Sequence, residues 1–330
     1  MSRDAALLWL LALLVAGLFA LSLLIGPAGL TLAQSLGALL RGEGAAETLV
    51  MREIRLPRAA LAVLVGAALG LSGAALQGYL RNPLAEPGLI GVSGSAALGA
   101  VLAIQTGLAA AFALALPLAA LTGAVLAVLA LLGLAGPRGG GFTLILAGIA
   151  ISALAGALTS LALNLSPNPF AATEAVFWMM GSLADRSFTH VWLALPFIVL
   201  GGAAVLTLGR GLDALTLGED AAEALGVGLA RLRLVLVLGV ASAVGAATAV
   251  AGAIGFVGLV VPHLLRPLVG AQPSKLLPAS ALGGAAMILA ADIAVRLIAP
   301  ERDLKLGVLT AIVGAPFFLH LIWRTRREGL

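Results

Sequence analysis

Long apolar runs separated by short polar segments make up most of the chain. A membrane-spanning α-helix needs about 20 apolar residues, and the runs have about this length. They predict ten spans, over residues 5–25, 59–80, 88–106, 108–135, 142–165, 189–208, 234–253, 255–270, 276–298 and 305–323. The runs are too long and too uniform for the alternating strands of a membrane β-barrel. The pattern therefore predicts an all-α polytopic membrane protein with a single transmembrane domain over 1–330.

The first run is open to two interpretations, a retained span or a cleaved signal peptide. The core of a signal peptide holds about 7–15 apolar residues, and the run over 5–25 is longer than that. Its length favours a retained span.

The composition excludes soluble classes of protein. Of the 330 residues, 61% are hydrophobic and 10% are charged, whereas an ordinary soluble domain has about 25% charged residues. The formal net charge of +4 is spread along the chain, and without a basic stripe nucleic acid is not an expected partner. Cysteine is absent, which excludes a disulfide framework and a thiolate metal site. The lipid bilayer is the expected surroundings of most of the chain.

The arginines and lysines predict the orientation of the spans, because short cytoplasmic loops carry an excess of these residues. With the N-terminus inside, the cytoplasmic set is Arg3, Arg81, Arg138, Arg210, Arg231, Arg233, Arg266, Lys275, Arg324, Arg326 and Arg327. The outer set is Arg41, Arg52, Arg55, Arg58, Arg186, Arg296, Arg302 and Lys305. This bias favours cytoplasmic N- and C-termini. The four arginines over 41–58 run against it, which indicates either a different local topology or a partner on the outer side.

An internal repeat is the second organising feature. Residues 66–83 align with residues 245–262, with seven identities among 18 positions. The aligned spans are an odd number of spans apart, so the two copies cross the membrane in opposite directions, as inverted repeats of transporters do. We expect repeat halves at about 55–165 and 231–323. The alternative is that small-residue packing alone produces the likeness.

The chain carries no residue pattern for nucleotide chemistry. A P-loop ends in a lysine followed by Ser or Thr, but Lys275 and Lys305, the only lysines, are each followed by leucine. ATP hydrolysis therefore requires another chain, and no catalytic or metal-binding residue is expected here. Ion-coupled transport needs ionisable groups at membrane depth. The single good candidate, Asp292, lies one turn before Arg296 and is positioned to pair with it. A secondary transporter and a non-transporting scaffold are the alternative classes.

Four segments go beyond composition. They are Arg55-Leu56-Pro57-Arg58, the run from Asn82 to Ser93 (NPLAEPGLIGVS), the run from Gly255 to Arg266 (GFVGLVVPHLLR) and the run from Leu217 to Val227 (LGEDAAEALGV). In this order they resemble the FecCD/BtuC-like permease subunit of bacterial ABC importers for iron–siderophore, haem or cobalamin. The resemblance runs from about residue 50 to about residue 323. It implies the fold of a type II ABC importer permease.

The segment over about 213–228 has the pattern of a short cytoplasmic helix. Its acidic residues recur at helical spacing beside alanine and leucine, and a glycine suits the helix C-terminus. By itself the pattern also fits a solvated surface helix. The resemblance identifies it as the coupling helix that sits in a groove of the ATPase. The candidate contact residues are Glu219, Asp220, Ala222, Glu223, Leu225 and Gly226.

Three outer arginines are the candidate docking site for a second partner. Arg55 and Arg58 open the second span, and Arg296 ends the ninth. An arginine fork holds a carboxylate in bidentate geometry. The resemblance implies that these residues receive acidic side chains of a periplasmic or lipid-anchored substrate-binding protein. The alternative is that they reach lipid headgroups or pair with Glu53, Glu301 and Asp303.

The resemblance also implies the gate, the passage, the partner subunits and the cargo of the importer. The cytoplasmic gate would lie at Gly141, Phe142 and Thr143, and spans five and ten would line the passage. A short outer helix over 167–181 would border its mouth. Two copies of the chain would pair with two ATPase subunits, which bind ATP and magnesium, while this chain binds no cofactor. The resemblance places the importer in the bacterial inner membrane, with an iron–siderophore or haem as cargo and cobalamin as the alternative.

Overall fold

The computed structural model describes residues 3–136, 140–299 and 304–327, and the regular elements in these ranges are helical. The expected cytoplasmic residue Arg138, the turn residue Gly139 and the outer residues Glu301, Arg302 and Asp303 lie outside the described residues, as do the side chains of Arg324, Arg326 and Arg327. The all-α fold class is thereby confirmed for the described ranges.

The α-helices follow one another with short connections. They are α1 (Arg3–Leu24), α2 (Leu32–Arg41), α3 (Ala45–Leu49), α4 (Leu56–Leu80), α5 (Val92–Gln105), α6 (Ala115–Ala135), α7 (Gly141–Asn164), α8 (Pro169–Met179), α9 (Phe188–Leu206), α10 (Gly209–Leu215), α11 (Glu219–Ala224), α12 (Leu229–Ala251), α13 (Val257–Leu265), α14 (Pro273–Ile298) and α15 (Leu306–Arg327). A π-helical turn covers Val50–Arg55, and 3₁₀ turns cover Pro87–Ile90, Leu108–Ala110 and Arg266–Val269.

Ten helices correspond to the ten predicted spans. In the described part of the chain, seven are long and apolar enough to cross a membrane, and the other three contribute shorter apolar stretches, Val92–Gln105, Val257–Val269 and Leu306–Leu319. The third span was expected over 88–106 and the eighth over 255–270, but the α-helices there cover only 92–105 and 257–265. Prolines and glycines precede α5, and glycines precede α13, so both helices start late, are about half-length and follow irregular chain.

The start of the second span is the largest difference from the expected pattern. Residues 45–80 form one continuous helical segment instead of a loop followed by a helix at 59. Pro57 has no N–H and would clash with the carbonyl one turn earlier in a regular α-helix. The preceding π-helical turn widens the backbone, and the Leu56 N–H bonds the Met51 carbonyl instead. The wider turn therefore lets the helix continue past the proline.

The core consists of α4 and α12, the two most buried spans, with α14 packed along α4. Small residues make these contacts close, as is usual between helices in a bilayer. A Cβ atom at Gly66 would collide with the Gly284 carbonyl, one at Gly70 with the Ser280 carbonyl and one at Gly73 with the Gly258 carbonyl. The backbone of α4 therefore lies directly against the backbones of α14 and α13.

The packing around the two aligned segments has a parallel form. Gly66 of α4 meets α14 through Gly284, and its aligned counterpart Gly245 of α12 meets α6 through Ala124. A repeat that relates α4 to α12 also relates α6 to α14, because each of these follows two helices later. The contact of α4 with α14 is then equivalent to the contact of α12 with α6, as an inverted repeat would produce. The repeat halves at about 55–165 and 231–323 stay a prediction.

The two ends of the bundle are named here by the helices found there. The α11 end carries α10 and α11; Asp4 of α1 pairs with Lys275 of α14 at this end, 2.8 Å apart. The α2 end carries α2, α3 and α8, which follow helices that run away from the α11 end. Because the spans alternate in direction, α1 begins and α15 finishes at the α11 end.

Candidate functional site

Three charged side chains meet at the α2 end between α4 and α14. Asp292 is buried, with 1% of its side chain exposed. Its Oδ1 accepts from Arg58 Nε and lies near Arg58 Nη2, both at 2.8 Å. Its Oδ2 lies 2.9 Å from Nη2 of Arg296, one turn later on α14. The carboxylate therefore joins two arginines that belong to different helices.

The arginines of the same cluster cap the C-terminus of α1. The last carbonyls of a helix have no partner within it and form the negative end of the helix dipole. Here four consecutive carbonyls, over residues 22–25, accept from Arg55 and Arg296. Arg55 Nη1 reaches the Leu23 carbonyl at 2.8 Å and the Leu24 carbonyl at 3.0 Å; Arg296 Nη1 reaches the Ser22 carbonyl at 2.8 Å and the Ile25 carbonyl at 2.6 Å. Two arginines thus take the place of a capping residue.

The expected docking arginines differ in their exposure. Arg55 is 4% exposed and Arg296 is 9% exposed, whereas 18% of the Arg58 side chain is exposed. Arg55 and Arg296 are enclosed by carbonyls of their own chain. Docking of a binding protein through the three arginines stays a prediction, and Arg58 is the one among them that retains access to the surface.

The arginine-rich segment over 41–58 has partners within the chain. Arg52 donates to the Leu39 carbonyl at the end of α2, and Arg41 lies 3.3 Å from Glu43 on the surface. With Arg55 and Arg58 described above, each of the four arginines has an acceptor in its own protein. The intramolecular acceptors account for the positions of these side chains, and the choice between a different local topology and a partner on the outer side stays a prediction.

The α11 end differs from the expected single helix over 213–228. The segment forms two short helices, α10 and α11, separated at Gly218, whose φ of 111° is unfavourable for residues with a Cβ. The C-terminal glycine behaves as expected: Gly226 has φ 86°. Its N–H bonds the Glu223 carbonyl and the Val227 N–H bonds the Ala222 carbonyl, which is the Schellman pattern.

The short helix α11 presents a mixed acidic and apolar surface. Glu219, Asp220 and Glu223 are exposed, and Leu217 and Leu225 on either side are 70% and 66% exposed. Of the remaining expected contact residues, Gly226 is exposed, whereas Ala222 is fully buried and fastens the helix to the bundle. Apolar side chains this exposed beside carboxylates are typical of a surface that a protein partner covers.

Asp213 connects this surface to the long helix α14. Its Oδ1 accepts from the Ser274 N–H at 2.8 Å and its Oδ2 from Gln272 at 3.1 Å. It thereby satisfies a free donor in the first turn of α14. Sequence reasoning missed this contact because the partners of Asp213 lie 59 and 61 positions further along the chain.

The expected gate residues begin α7. Gly141 lies against the Leu80 side chain at the end of α4, where a Cβ would come within 3.2 Å. Phe142 is 74% exposed, and Thr143 is also on the first turn of the helix. The cytoplasmic gate at these three residues stays a prediction.

Side chains of neighbouring helices bond backbone carbonyls at the two half-length helices. Gln77 of α4 donates to the Gly258 carbonyl near the start of α13 at 3.2 Å and accepts from Arg266 at 2.6 Å. On the α5 side, Ser152 of α7 donates to the Gly88 carbonyl at 3.3 Å.

A cavity of about 770 Å³ opens near the α2 end between α8, the start of α13 and α15. Its lining is apolar and includes Met179, Met180, Phe256, Ala311, Ile312 and Pro316. The helix expected over 167–181 is present as α8, with Phe170 85% exposed. The cavity is a depression open to the surface and has no charged side chain among its described lining residues.

Comparisons with known proteins agree with this architecture. The model of the FecCD transport family matches residues 12–324. The cobalamin import system permease protein BtuC of Halobacterium salinarum is 43% identical over 83% of this chain and 73% of its own length. The ferric enterobactin transport system permease protein FepD of Escherichia coli is 39% identical over 99% and 98%. The hemin transport system permease protein HmuU of Yersinia pestis is 41% identical over 83% of each chain.

A solved structure has the same fold. It is described as an inward-facing conformation of a metal-chelate type ABC transporter and is 34% identical in sequence. The two structures superpose with a TM-score of 0.87 over 97% of this chain and 99% of the other. The resemblance carried by the four sequence segments is therefore confirmed.

Proposed function

Since the chain belongs to the FecCD transport family, we propose that two copies of it form the passage of an ATP-driven importer of a bulky metal chelate. Two ATP-binding subunits dock at the α11 end, and a substrate-binding protein docks at the α2 end. The chain itself is a transport subunit and hydrolyses nothing; ATP and magnesium are bound by the ATPase.

The observation that carries the proposal is the surface of α11. Three carboxylates of α11 and the two exposed leucines that flank it form one surface; the buried Ala222 packs α11 against the bundle, and Asp213 bonds the preceding helix α10 to α14. Such a surface transmits force only when a partner is seated on it. The chain has no P-loop, and its membership of the FecCD transport family supports an ATPase as the partner that supplies the energy.

The orientation follows from the same assignment. An ATPase works in the cytoplasm, so the α11 end faces the cytoplasm and the α2 end faces outward. Both α1 at its start and α15 at its finish lie at the α11 end, which makes both termini cytoplasmic. The expected excess of arginine and lysine on this side agrees. The bacterial inner membrane is the corresponding location.

The mechanism is alternating access. ATP binding closes the ATPase pair, and α11 passes this motion through α10 and Asp213 to α14. The start of α7, with Gly141, Phe142 and Thr143, opens or closes the inner side of the passage. No residue of this chain performs covalent chemistry, so its contribution is to move and to exclude water and ions while the cargo passes.

The cargo is a chelate, with an iron–siderophore or haem as the first choice and cobalamin as the second. Relatives named for enterobactin and hemin support the first choice, and the relative named for cobalamin supports the second. The wide apolar cavity beside α8 suits a large cargo that is not held by fixed polar ligands. The binding protein then selects the chelate, and Arg58 contributes an exposed docking contact at the α2 end.

An affinity purification tests the proposal. The wild-type chain and a Glu219→Arg, Glu223→Arg variant are purified from native membranes in mild detergent, and partners are identified by mass spectrometry alongside an ATP hydrolysis assay. We expect an ATPase with the wild type and its loss from the variant. Glu174→Arg, an exposed acid on α8, is the matched control and should retain it. A folded wild type without an ATPase would favour an ion-coupled transporter.

A further inference from the structure

We propose that Asp292 is a positioning residue for docking at the α2 end, because it orients the Arg58 guanidinium toward an acidic side chain of the binding protein. The inference rests on the docking role proposed above. It adds a buried carboxylate that has no exposed surface of its own and that acts only through Arg58.

The geometry of Arg58 carries the first step. Asp292 Oδ1 engages Nε and Nη2 of the guanidinium. This uses one edge of the fork and leaves Nη1 without a hydrogen bond to any described residue, on a side chain that is 18% exposed. A bound edge fixes the plane of the group, so the remaining donors face a defined direction.

Asp292 is itself held from the other side. Arg296 lies 2.9 Å from Oδ2, and Arg296 is tied to α1 through the Ser22 hydroxyl and the Ser22 and Ile25 carbonyls. Both oxygens of Asp292 therefore face arginines, and the carboxylate cannot rotate without losing one of them. Arg58 is thus preorganised by a chain of contacts that ends on the backbone of α1.

The charges of the cluster favour an acidic partner. Arg55, Arg58 and Arg296 bring three positive charges, and Asp292 brings one negative charge. The C-termini of α1 and α14 offset part of the excess through their dipoles, but they face Arg55 and Arg296, not the Nη1 edge of Arg58. A carboxylate of a partner protein is the group that complements this edge in charge and in geometry.

The sign of one substitution separates positioning from simple charge. Asp292→Asn removes a negative charge, so an electrostatic effect alone would tighten the binding of an acidic partner. If Asp292 positions Arg58, the same substitution weakens binding, because the side chain of Arg58 must then be ordered when the partner docks. The two accounts predict opposite changes in the dissociation constant.

The test uses the complete permease–ATPase complex in nanodiscs. Substrate-binding proteins of the source organism are purified and screened in turn, and the one that binds the wild type is used to measure affinity and stimulation of ATP hydrolysis. We expect Arg58→Gln to weaken binding about tenfold and Asp292→Asn to weaken it by a similar factor. The Arg58→Gln, Asp292→Asn double variant should be no weaker than Arg58→Gln. Arg41→Gln, which removes an exposed charge at the same end, is the control and should leave affinity nearly unchanged.

Folding is checked by basal ATP hydrolysis and thermal unfolding of each complex. Tighter or unchanged binding by a folded Asp292→Asn complex would overturn the inference, and so would additive losses in the double variant. If Asp292→Asn does not fold, Arg58→Lys replaces it: the lysine keeps the charge but lacks the fork, and unchanged affinity would then overturn the inference. A wild-type complex that binds none of the proteins would refute the docking role itself.

Discussion

Arg58 Nη2 lies 2.8 Å from Asp292 Oδ1, joining residues that are 234 positions apart in the sequence. The contact links α4 to α14 at the end opposite the coupling surface. Asp292 also pairs with Arg296, and Arg296 bonds the end of α1. The start of α4 and the ends of α1 and α14 therefore meet at one ionic cluster. The α2 end of the bundle is therefore organised by charge, whereas its interior is organised by close glycine contacts.

The arginine cap of α1 should be a measurable source of stability. Arg55→Met leaves the Leu23 and Leu24 carbonyls without their donors, and a buried acceptor that loses its partner costs about 1–3 kcal/mol. We expect a lower unfolding temperature of the purified protein in detergent. Arg41→Met, on an exposed side chain, is the control. Equal unfolding temperatures for the two variants would show that the cap contributes no stability.

The contact between α4 and α14 should tolerate no side chain at Gly66. A Cβ there meets the Gly284 carbonyl, and neither backbone can move away. Gly66→Val should cost about 3 kcal/mol through overpacking and reduce the yield of monodisperse protein. Gly17→Val on α1 meets nothing within 4 Å and serves as the control. Normal yield and stability of Gly66→Val would contradict the close approach.

The link between α10 and α14 should matter for coupling. Asp213→Ala removes the acceptor of the Ser274 N–H, a loss worth about 1 kcal/mol, and frees α10 from α14. We expect ATP hydrolysis to continue while less cargo is imported per ATP in proteoliposomes. Glu174→Ala is the matched control. An unchanged ratio of import to hydrolysis in Asp213→Ala would show that α14 does not carry the motion.

Filling the cavity beside α15 should block the cargo without stopping the ATPase. Ile312 lines this cavity and is 62% exposed, so Ile312→Trp adds bulk where we expect the chelate to pass. Uptake should fall about tenfold while basal hydrolysis is kept, a loss confined to the transport step. Leu319→Trp, on the same helix but outside the cavity lining, should import normally. Equal uptake by both variants would place the passage elsewhere.

Local features were predictable from the chain alone. Apolar runs located all ten spans, and the acidic pattern located α11 with its C-terminal glycine. The predicted start of the second span was wrong. It was expected at residue 59, just after Pro57, but a π-helical turn lets the helix continue through the proline. Sequence rules for single residues do not predict whether a proline will end a helix or be accommodated by a π-helical turn.

Site contacts were predictable only in part. The i,i+4 spacing of Asp292 and Arg296 indicated their pairing, and the same two residues do pair. The partners of Arg55 and Arg58 come from other helices, so their burial could not be read from spacing. Of the four arginines over 41–58, Arg52 and Arg55 bond carbonyls at helix C-termini, whereas Arg41 and Arg58 pair with carboxylates, and none of these partners could be read from the charge rule.

The sequence by itself determined the number of apolar helices, the class of the fold, the family and the position of the short acidic helix α11, because each depends on the length and pattern of neighbouring residues. Only the tertiary structure decided which arginines are enclosed and which one keeps an exposed edge. The physical reason is that a guanidinium is neutralised by whatever acceptor lies within hydrogen-bonding distance, and here those acceptors are a carboxylate and helix carbonyls that packing brings from distant parts of the chain.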